Sequence, residues 1–512
     1  VGSNFVIFLS LAGMVYLVFR KDSEQREYLF HGLLLIFWFL AAVYAATTSV
    51  RFIAFVVPVF ALGMAAFVAM CWNELPGWSE KTISVNKNIS RTLIAVALII
   101  LVFMPLASSA NATAKNEIPS MNDAWYNTLI KIHDNSDDGI ITSWWDFGHW
   151  FVAVGQRKVT FDGGNQGERI HWVGRTLRED NETQAVGILR MLNCAQEKAP
   201  HRLSEMLGGT IQTDVKAVDI LYSIFSLDKE QAREAYLENG LSEAEAEEML
   251  SLTHCDDLIP QYYITSEDMV GKAGVWAHFG SWDFHKAAMF NQVKGKDHAE
   301  GTKILIDQFG MEQADADKTF FDIQATDGDT YISPWPGYVT GVRPCQRDDE
   351  AKITCVQSVQ GQQFSIHVNL MTGRAEIKAQ QTFVPNSVVY VTETGTVEMK
   401  QEGSPVGFSI VLIPAGDGYN SILTAPEIAN SMFTRMFFMK GHGLKHFKQF
   451  DDTRSITGGR IITWTVDWEG ENATVAFAPK TPEKSTKTGE KPVAVINETV
   501  EASKEEPANG SG

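Results

Sequence analysis

Residues 139–164, GIITSWWDFGHWFVAVGQRKVTFDGG, carry the pattern that decides the fold of the polar part of this chain. A short apolar run is followed by an aromatic and polar loop, a second apolar segment, another short run and a glycine-rich turn. This order predicts strand, loop, helix, strand and turn, which is typical of an α/β layer.

Apolar segments precede this layer, and the remainder of the chain is acidic. The whole chain of 512 residues has a net charge of −19. A membrane-spanning helix needs about 20 mostly apolar residues. We therefore predict four spans, at about 4–19, 29–47, 52–72 and 92–107. The charge argues against a general nucleic-acid binder, because neutralising phosphates requires clustered Lys and Arg.

The Lys and Arg residues between the spans predict the orientation. Loops 20–28 and 73–91 each carry three of them, whereas the short loop near 47–51 carries only Arg51. Basic loops face the cytoplasm, so we expect a multi-pass cell-membrane protein whose residues after about 108 lie on the extracytoplasmic side. Arg51 then lies at the outer mouth of a span, either as a cation held for an anionic lipid-borne substrate or as a side chain that snorkels to headgroups.

Composition divides the chain into four predicted regions. These are a transmembrane region of four helices at 1–108, an external α/β domain at 109–310, a β-rich external domain with a mixed C-terminal part at 311–480, and a disordered tail at 481–512. The tail is rich in Lys, Glu, Thr, Pro and Ser and has no apolar periodicity.

Two of the five cysteines, Cys345 and Cys355, flank the polar stretch QRDDEAKIT. This arrangement favours a hairpin loop. Whether the two cysteines are bonded stays open at this point, since a disulfide would need an oxidising compartment.

Trp144, Trp145 and Asp146 follow the first predicted strand. Two indoles beside one carboxylate form a rigid aromatic wall with a hydrogen-bond acceptor on it, and such a wall suits a small hydroxyl-bearing ligand. The alternative is that the two Trp only pack in the core.

The pentapeptide WWDFG resembles the WWDYG signature of the oligosaccharyltransferase catalytic subunit, a membrane enzyme that moves a lipid-linked glycan onto Asn in Asn-x-Ser/Thr. Phe147 replaces the Tyr. DGGNQ at 162–166 and the stretch 434–448 also resemble archaeal-type members, and TSVRF at 48–52 resembles the family's penultimate-span region. The likeness covers about residues 1–300 and 425–450. It implies the last four spans of a GT-C type membrane protein, followed by an external α/β domain with an added β-rich domain.

By this resemblance, Trp144, Trp145 and Asp146 bind the Ser or Thr hydroxyl at position +2 of the acceptor. The chemistry agrees, because a hydroxyl can donate to a carboxylate while it accepts from an indole N–H. An Ala at +2 would leave the carboxylate unpaired, at a cost of about 1–3 kcal/mol. Arg51 would meet the diphosphate of the lipid donor.

The family has a second motif, DxxKxxxM/I, and WDFHKAAMF at 282–290 is similar to it. Asp283, Lys286 and Met289 recur every three residues, so a helix would place them on one face. Met289 lies one residue short of the pattern, and Phe290 occupies the expected place. The alternative is a surface ion pair between Asp283 and Lys286, which contributes little to stability.

The resemblance also implies a cofactor and partners. Mn²⁺ or Mg²⁺ would be held by acidic residues of the family's N-terminal half, which this chain lacks. We therefore expect no metal ligands in this chain, and its catalytic residues are unknown. The partners would be a lipid-linked oligosaccharide, an acceptor polypeptide with Asn-x-Ser/Thr, and the membrane. Archaeal-type members commonly act as a single subunit.

The expected function is therefore transfer of a preassembled glycan from a polyprenyl (di)phosphate lipid to Asn of a sequon, with this chain supplying sequon recognition. Two alternatives stay open. One is a membrane-anchored, non-catalytic binding module in which WWDFG only packs. The other is a relative of protein O-mannosyltransferases, which would transfer to Ser or Thr directly and need no +2 pocket.

We expect the isolated chain to be inactive, because the residues that bind the divalent ion in the family are not in it. Incubation with a polyprenyl-linked oligosaccharide, Mn²⁺ and an acceptor peptide should yield no glycopeptide by mass spectrometry. Any turnover would contradict this expectation.

Overall fold

A computed structural model describes residues 4–20, 25–349, 351–403, 406–456 and 459–477. The predicted disordered tail at 481–512 lies outside the described residues. The chain forms two compact units, Val1–Ser120 and Met121–Gly512, and each is described by itself.

The first unit is helical. Its elements are α1 (Asn4–Phe19), α2 (Gln25–Thr48), a 3-10 turn (Val50–Phe52), α3 (Ile53–Ile83), α4 (Lys87–Leu98), a π-helical turn (Ile99–Phe103) and α5 (Met104–Asn116).

Three stretches of this unit are long and apolar enough to cross a membrane, namely Arg26–Thr48, Val50–Ile83 and Lys87–Asn116. These confirm three of the four predicted spans. The 16 residues of α1 extend about 24 Å at 1.5 Å per residue, which is short of the ~30 Å hydrocarbon core, so the count of four stays a prediction. The predicted loop at 73–91 differs, because α3 continues to Ile83.

Small residues let α1 and α3 approach closely. A Cβ added at Gly13 would lie 2.0 Å from the carbonyl oxygen of Gly63. Nearby, the hydroxyl of Ser10 donates to the carbonyl of Phe60 at 3.1 Å. Backbone contact through small residues is a common way for membrane helices to pack, so both glycines are required at this crossing.

The second unit combines helices with two sheets. Its helices are α6 (Asp123–Asn135), α7 (Gly148–Ala153), α8 (Arg169–Arg178), α9 (Glu182–Ala195), α10 (Lys198–Leu207), α11 (Ile211–Ile224), α12 (Lys229–Glu238), α13 (Glu243–Thr253), α14 (Asp268–Gly271), α15 (Ala273–Gly280), α16 (Phe284–Val293), α17 (His298–Phe309), α18 (Gln313–Ala325), α19 (Gly328–Ile332), α20 (Pro426–Ala429) and α21 (Met432–Phe437). A 3-10 turn at Trp145–Phe147 precedes α7.

Its strands are β1 (Ile140–Thr142), β2 (Lys158–Val159), β3 (Gln261–Ser266), β4 (Arg343–Arg347), β5 (Lys352–Val359), β6 (Gln362–Asn369), β7 (Ala375–Lys378), β8 (Thr382–Phe383), β9 (Ser387–Val391), β10 (Thr396–Lys400), β11 (Ser409–Ala415), β12 (Gly418–Thr424), β13 (Phe447–Arg454) and β14 (Arg460–Val466). The strand, loop, helix, strand and turn predicted over 139–164 are confirmed.

The smaller sheet has the order β13-β14-β3-β1-β2. Strand β1 pairs in parallel with both β2 and β3, whereas β14 pairs antiparallel with β3 and with β13. The strand β3 is buried along its whole length. Helices α8, α15 and α6 cover the sheet with apolar side chains.

The larger sheet, of order β10-β9-β11-β12-β4-β5-β6-β7-β8, forms the β-rich part and begins only at Arg343. The predicted boundary at 310 differs from the structure, because α17 and α18 on either side of it share one apolar cluster that includes Leu305 and Phe320. The predicted β-rich region also ends differently, since β13 and β14 belong to the smaller sheet. The pairing of β14 with β3 joins strands that are distant in sequence, so no local sequence pattern predicts it.

Two disulfides join parts of the second unit. Cys345 and Cys355 face each other in the β4–β5 hairpin and are bonded, which answers the question that their spacing leaves open. Cys194 and Cys255 form a second bond that closes 61 positions. Nothing in their spacing predicts this pair.

The two disulfides should contribute unequally to stability. In the chain-entropy model a loop of 61 residues contributes about 4 kcal/mol and one of 10 residues about 3 kcal/mol. Replacing Cys194 and Cys255 by Ser should therefore lower the free energy of urea unfolding more than replacing Cys345 and Cys355. Equal losses, or a larger loss at the hairpin, would contradict this ranking.

Candidate functional site

Three loops meet at one edge of the smaller sheet. The loop at 143–149, which includes the 3-10 turn, follows β1, and the loop at 160–165 follows β2. The loop at 267–272, which includes the short helix α14, follows β3. Because these strands are parallel, their carboxyl ends lie at the same edge, where ligands of α/β proteins usually bind. The topology thus brings WWDFG, DGGN and a third segment, EDMVGK, together.

The structure separates the roles of the two Trp. Trp144 is buried and packs on Phe161 and Phe279, with ring centroids 5.9 and 6.4 Å away. Trp145 and Asp146 are half-buried. Trp144 therefore supports the loop from the core, as the packing alternative requires. Trp145 and Asp146 can be reached from solvent.

Asp146 forms an ion pair with Lys272, whose Nζ lies 3.1 Å from the Asp146 Oδ1. The same ammonium lies 4.8 Å from the ring centroid of Phe147. The two side chains are 25% and 37% exposed, so the pair contributes little to stability. Its effect is geometric, because one carboxylate oxygen is fixed by the ammonium.

The glycine-rich loop after β2 packs directly beneath the motif. The Asp162 carboxylate accepts from the backbone N–H groups of Gly164 and Asn165, at 2.8 and 3.0 Å. A Cβ on Gly148 would lie 2.5 Å from the Cβ of Asp162, and one on Gly163 would lie 3.4 Å from the Trp145 ring. Glycine at 148 is thus needed for the two loops to touch. His149 stands at the exposed rim, with its Nδ1 3.4 Å from Asp162.

Lys272 is the residue of this candidate site that sequence reasoning missed. It follows QYYITS, a second apolar strand, by six residues. The available signal was the rule that loops after buried parallel strands converge. Applying that rule requires the order of the strands in the sheet, which cannot be read from the sequence.

The second predicted motif lies elsewhere in this unit. Asp283 is the N-cap of α16 and accepts from the backbone N–H of Lys286 at 2.9 Å. The Lys286 Nζ lies 5.9 Å from the ring centroid of Tyr331. Met289 is buried in the cluster formed by α16, α17 and α18. The structure thus brings Lys272, rather than Lys286, to Asp146, and the role predicted for Asp283, Lys286 and Met289 stays a prediction.

Arg51 belongs to the first unit. It is exposed on the 3-10 turn between α2 and α3, where the Ser49 hydroxyl accepts its backbone N–H at 3.4 Å. This position at helix ends agrees with the predicted mouth of a span, and its predicted contact with a diphosphate stays a prediction.

Within the described residues, no three His, Cys, Asp or Glu side chains are grouped so that they could hold an ion. The resemblance places the ligands of the implied Mn²⁺ or Mg²⁺ outside this chain, and that metal stays a prediction.

The buried imidazole of His171 lies next to Phe279, whose ring packs on Trp144. The Nδ1 of His171 contacts the carbonyl of Phe279 at 2.8 Å, and its Nε2 contacts the Tyr222 hydroxyl at 2.6 Å. Burial lowers the pKa of His171 to about 3 from the ordinary 6.5. The folded protein therefore keeps this ring neutral, whereas the unfolded chain protonates it below about pH 6.5.

Between these two pKa values the unfolded state binds more protons, so the free energy of unfolding should fall as pH decreases. We expect a loss of about 1–2 kcal/mol between pH 6.5 and 5 from this group. Urea unfolding at several pH values checks it, with His171→Gln as the comparison. A variant with the same pH slope as the parent would contradict the assignment.

Sequence comparisons relate the chain to known proteins. No family model matches it. It is 24% identical over 521 residues to the dolichyl-phosphooligosaccharide-protein glycotransferase of Methanocaldococcus jannaschii, a match that covers 88% of this chain and 51% of that protein. It is 27% identical over 363 residues to the protein of the same name from Methanococcus voltae, covering 56% and 39%. The chain thus spans about half or less of these relatives' length.

Solved structures match this chain only at low similarity. The Archaeoglobus fulgidus oligosaccharyltransferase in the apo form matches with 12% identity and a TM-score of 0.36, over 88% of this chain and 37% of that one. The C. jejuni pglb C-terminal domain matches with 13% identity and a TM-score of 0.31, over 67% and 98%. The relationship rests on the sequence matches: this chain is a relative of the archaeal dolichyl-phosphooligosaccharide-protein glycotransferases, and the resemblance indicated by WWDFG is confirmed.

Proposed function

We propose that this chain recognises the acceptor for an oligosaccharyltransferase, which transfers a preassembled glycan from a polyprenyl (di)phosphate lipid to Asn of Asn-x-Ser/Thr. The observation that carries the proposal is the Asp146–Lys272 pair at the open carboxyl edge of the parallel strands. The names of the relatives support the reaction class.

Asp146 would accept a hydrogen bond from the Ser or Thr hydroxyl at position +2. Lys272 holds Oδ1 at 3.1 Å, which leaves Oδ2 to face the acceptor. The half-buried ring of Trp145, backed by Gly163, would exclude water from one side and offer its N–H to the hydroxyl oxygen. Such a site binds the acceptor in a fixed orientation, which is how it would speed attack by the Asn amide at the anomeric carbon of the glycan.

The membrane part would serve the donor. In this proposal the spans are the last four of a GT-C type protein, and Arg51 contacts the phosphate of the lipid-linked oligosaccharide. Mn²⁺ or Mg²⁺ would be held by residues that are not in this chain, which is why the chain alone is expected to be inactive. The single-subunit organisation of archaeal-type members is part of the same proposal.

The two disulfides support the predicted side of the membrane. Cys194–Cys255 and Cys345–Cys355 both lie in the second unit, and such bonds persist in oxidising compartments. We therefore propose that residues after about 108 face the extracytoplasmic side.

A second candidate function is a membrane-anchored binding module without a hydroxyl site. The burial of Trp144 favours it, because that side chain does pack in the core. An O-mannosyltransferase relative has no specific observation in its favour. Hydroxyl dependence of acceptor binding separates these candidates.

We expect the detergent-solubilised full chain to bind an Asn-x-Thr peptide about 10-fold more tightly than the matching Asn-x-Ala peptide by calorimetry. An unpaired buried acceptor costs about 1–3 kcal/mol, and 1.4 kcal/mol is tenfold in affinity. Asp146→Asn should lower this ratio severalfold, because the amide is a weaker acceptor than a carboxylate.

The matched control is Asp451→Asn. Asp451 also pairs with a lysine, Lys131, at 2.6 Å, but on the outer strand β13. This variant should bind both peptides as the parent does. Equal binding of the two peptides by the parent, or an unchanged ratio in Asp146→Asn, would favour the binding module instead.

A further inference from the structure

Asp146 and Lys272 come from different loops, so their geometry depends on whatever keeps the two loops together. Trp125 contacts both. Its Nε1–H donates to the Asp268 Oδ2 at 3.2 Å, four residues before Lys272. Its ring packs on Phe147, the residue after Asp146, with centroids 4.4 Å apart and planes at 33°.

Trp125 is itself firmly held. It is 1% exposed and lies in the first turn of α6, where the Asn122 side chain caps its backbone N–H at 3.0 Å. Leu129 and Ile132 of the same helix pack in one cluster with Ile141 of β1 and with β3. The indole is therefore fixed to the sheet, independently of the two loops that it touches.

The contacts of Trp125 link both loops of the site to each other. Asp268 begins α14, and Lys272 follows the end of that helix. The ammonium of Lys272 lies over Phe147, the ring that Trp125 supports, and pairs with Asp146. The indole N–H thus fixes the loop that carries the cation, and the indole ring fixes the loop that carries the carboxylate.

A purely structural Trp would not need this arrangement. Trp464 is also fully buried, but its Nε1–H donates to the Thr265 hydroxyl at 3.3 Å, inside β3. That contact stabilises the sheet and reaches neither loop. Trp464 therefore supports the fold, whereas Trp125 supports the site.

We propose that Trp125 is a positioning residue, which sets the distance and direction between Asp146 and Lys272 and so determines how strongly the +2 hydroxyl is selected. The inference rests on the proposed function. It assigns Trp125 no contact with the acceptor.

Trp125→Phe keeps a ring against Phe147 and removes the N–H. We expect the ratio of Asn-x-Thr to Asn-x-Ala affinity in the full chain to fall at least about 3-fold, while binding of the Asn-x-Ala peptide stays unchanged. A loss of stability alone would not alter this ratio. Trp464→Phe is the control, and it should lower the thermal midpoint and leave the ratio as in the parent.

Asp268→Ala tests the same bond from the other side. It should reproduce the fall in the ratio, and the double variant with Trp125→Phe should show no further fall, because the two side chains act through one hydrogen bond. If Trp125→Phe does not fold, as judged by near-ultraviolet circular dichroism, Asp268→Ala decides the question.

The outcomes separate the two proposals. If the parent discriminates between the peptides and both variants keep the full ratio, the positioning role is wrong and the hydroxyl site stands. If the parent does not discriminate, the proposed function fails, and this inference fails with it. A fall in the ratio for Trp464→Phe equal to that for Trp125→Phe would also overturn the positioning role.

Discussion

The parallel pairing of β1 with β2 and β3 is the constraint on which the rest of the site depends. It directs three loops to one edge of the sheet, and each contributes a different part: an aromatic and acidic turn, a glycine-rich support and a lysine. Strands β14 and β13, from near the end of the described chain, complete the sheet on the far side of β3. The site therefore depends on residues more than 300 positions beyond the WWDFG motif.

The motif combines packing with exposure. Trp144 is buried among core rings, and Phe147 is buried against Trp125. Between them, Trp145 and Asp146 lie in a single 3-10 turn that leaves both half-buried. Neighbouring side chains of the motif thus differ, since two pack in the core and two remain accessible to a ligand. Phe147 retains the ring beneath the Lys272 ammonium without a hydroxyl that burial would leave in need of a partner.

Local patterns predicted much of the fold. The strand and turn around WWDFG, the hairpin of Cys345 and Cys355, and the long apolar helices depend on residues close in sequence. Lys272 and Trp125 could not be found in this way, since Trp125 and Asp268 are 143 positions apart and meet only through the strand order. The spacing of Asp283 and Lys286 predicted a shared helix, and in the structure Lys286 lies in α16 while Asp283 caps its N-terminus. Spacing does not reveal what that helix packs against.

In the proposed site, the Asp146 carboxylate, oriented by Lys272, accepts a hydrogen bond from an acceptor hydroxyl. A cryo-electron-microscopy structure of the chain with a bound Asn-x-Thr peptide measures this directly. We expect the Thr Oγ1 at about 2.5–2.7 Å from a carboxylate oxygen of Asp146, with the Lys272 contact retained. A peptide bound away from the carboxyl edge of β1 and β3, or a Thr hydroxyl facing solvent, would contradict it.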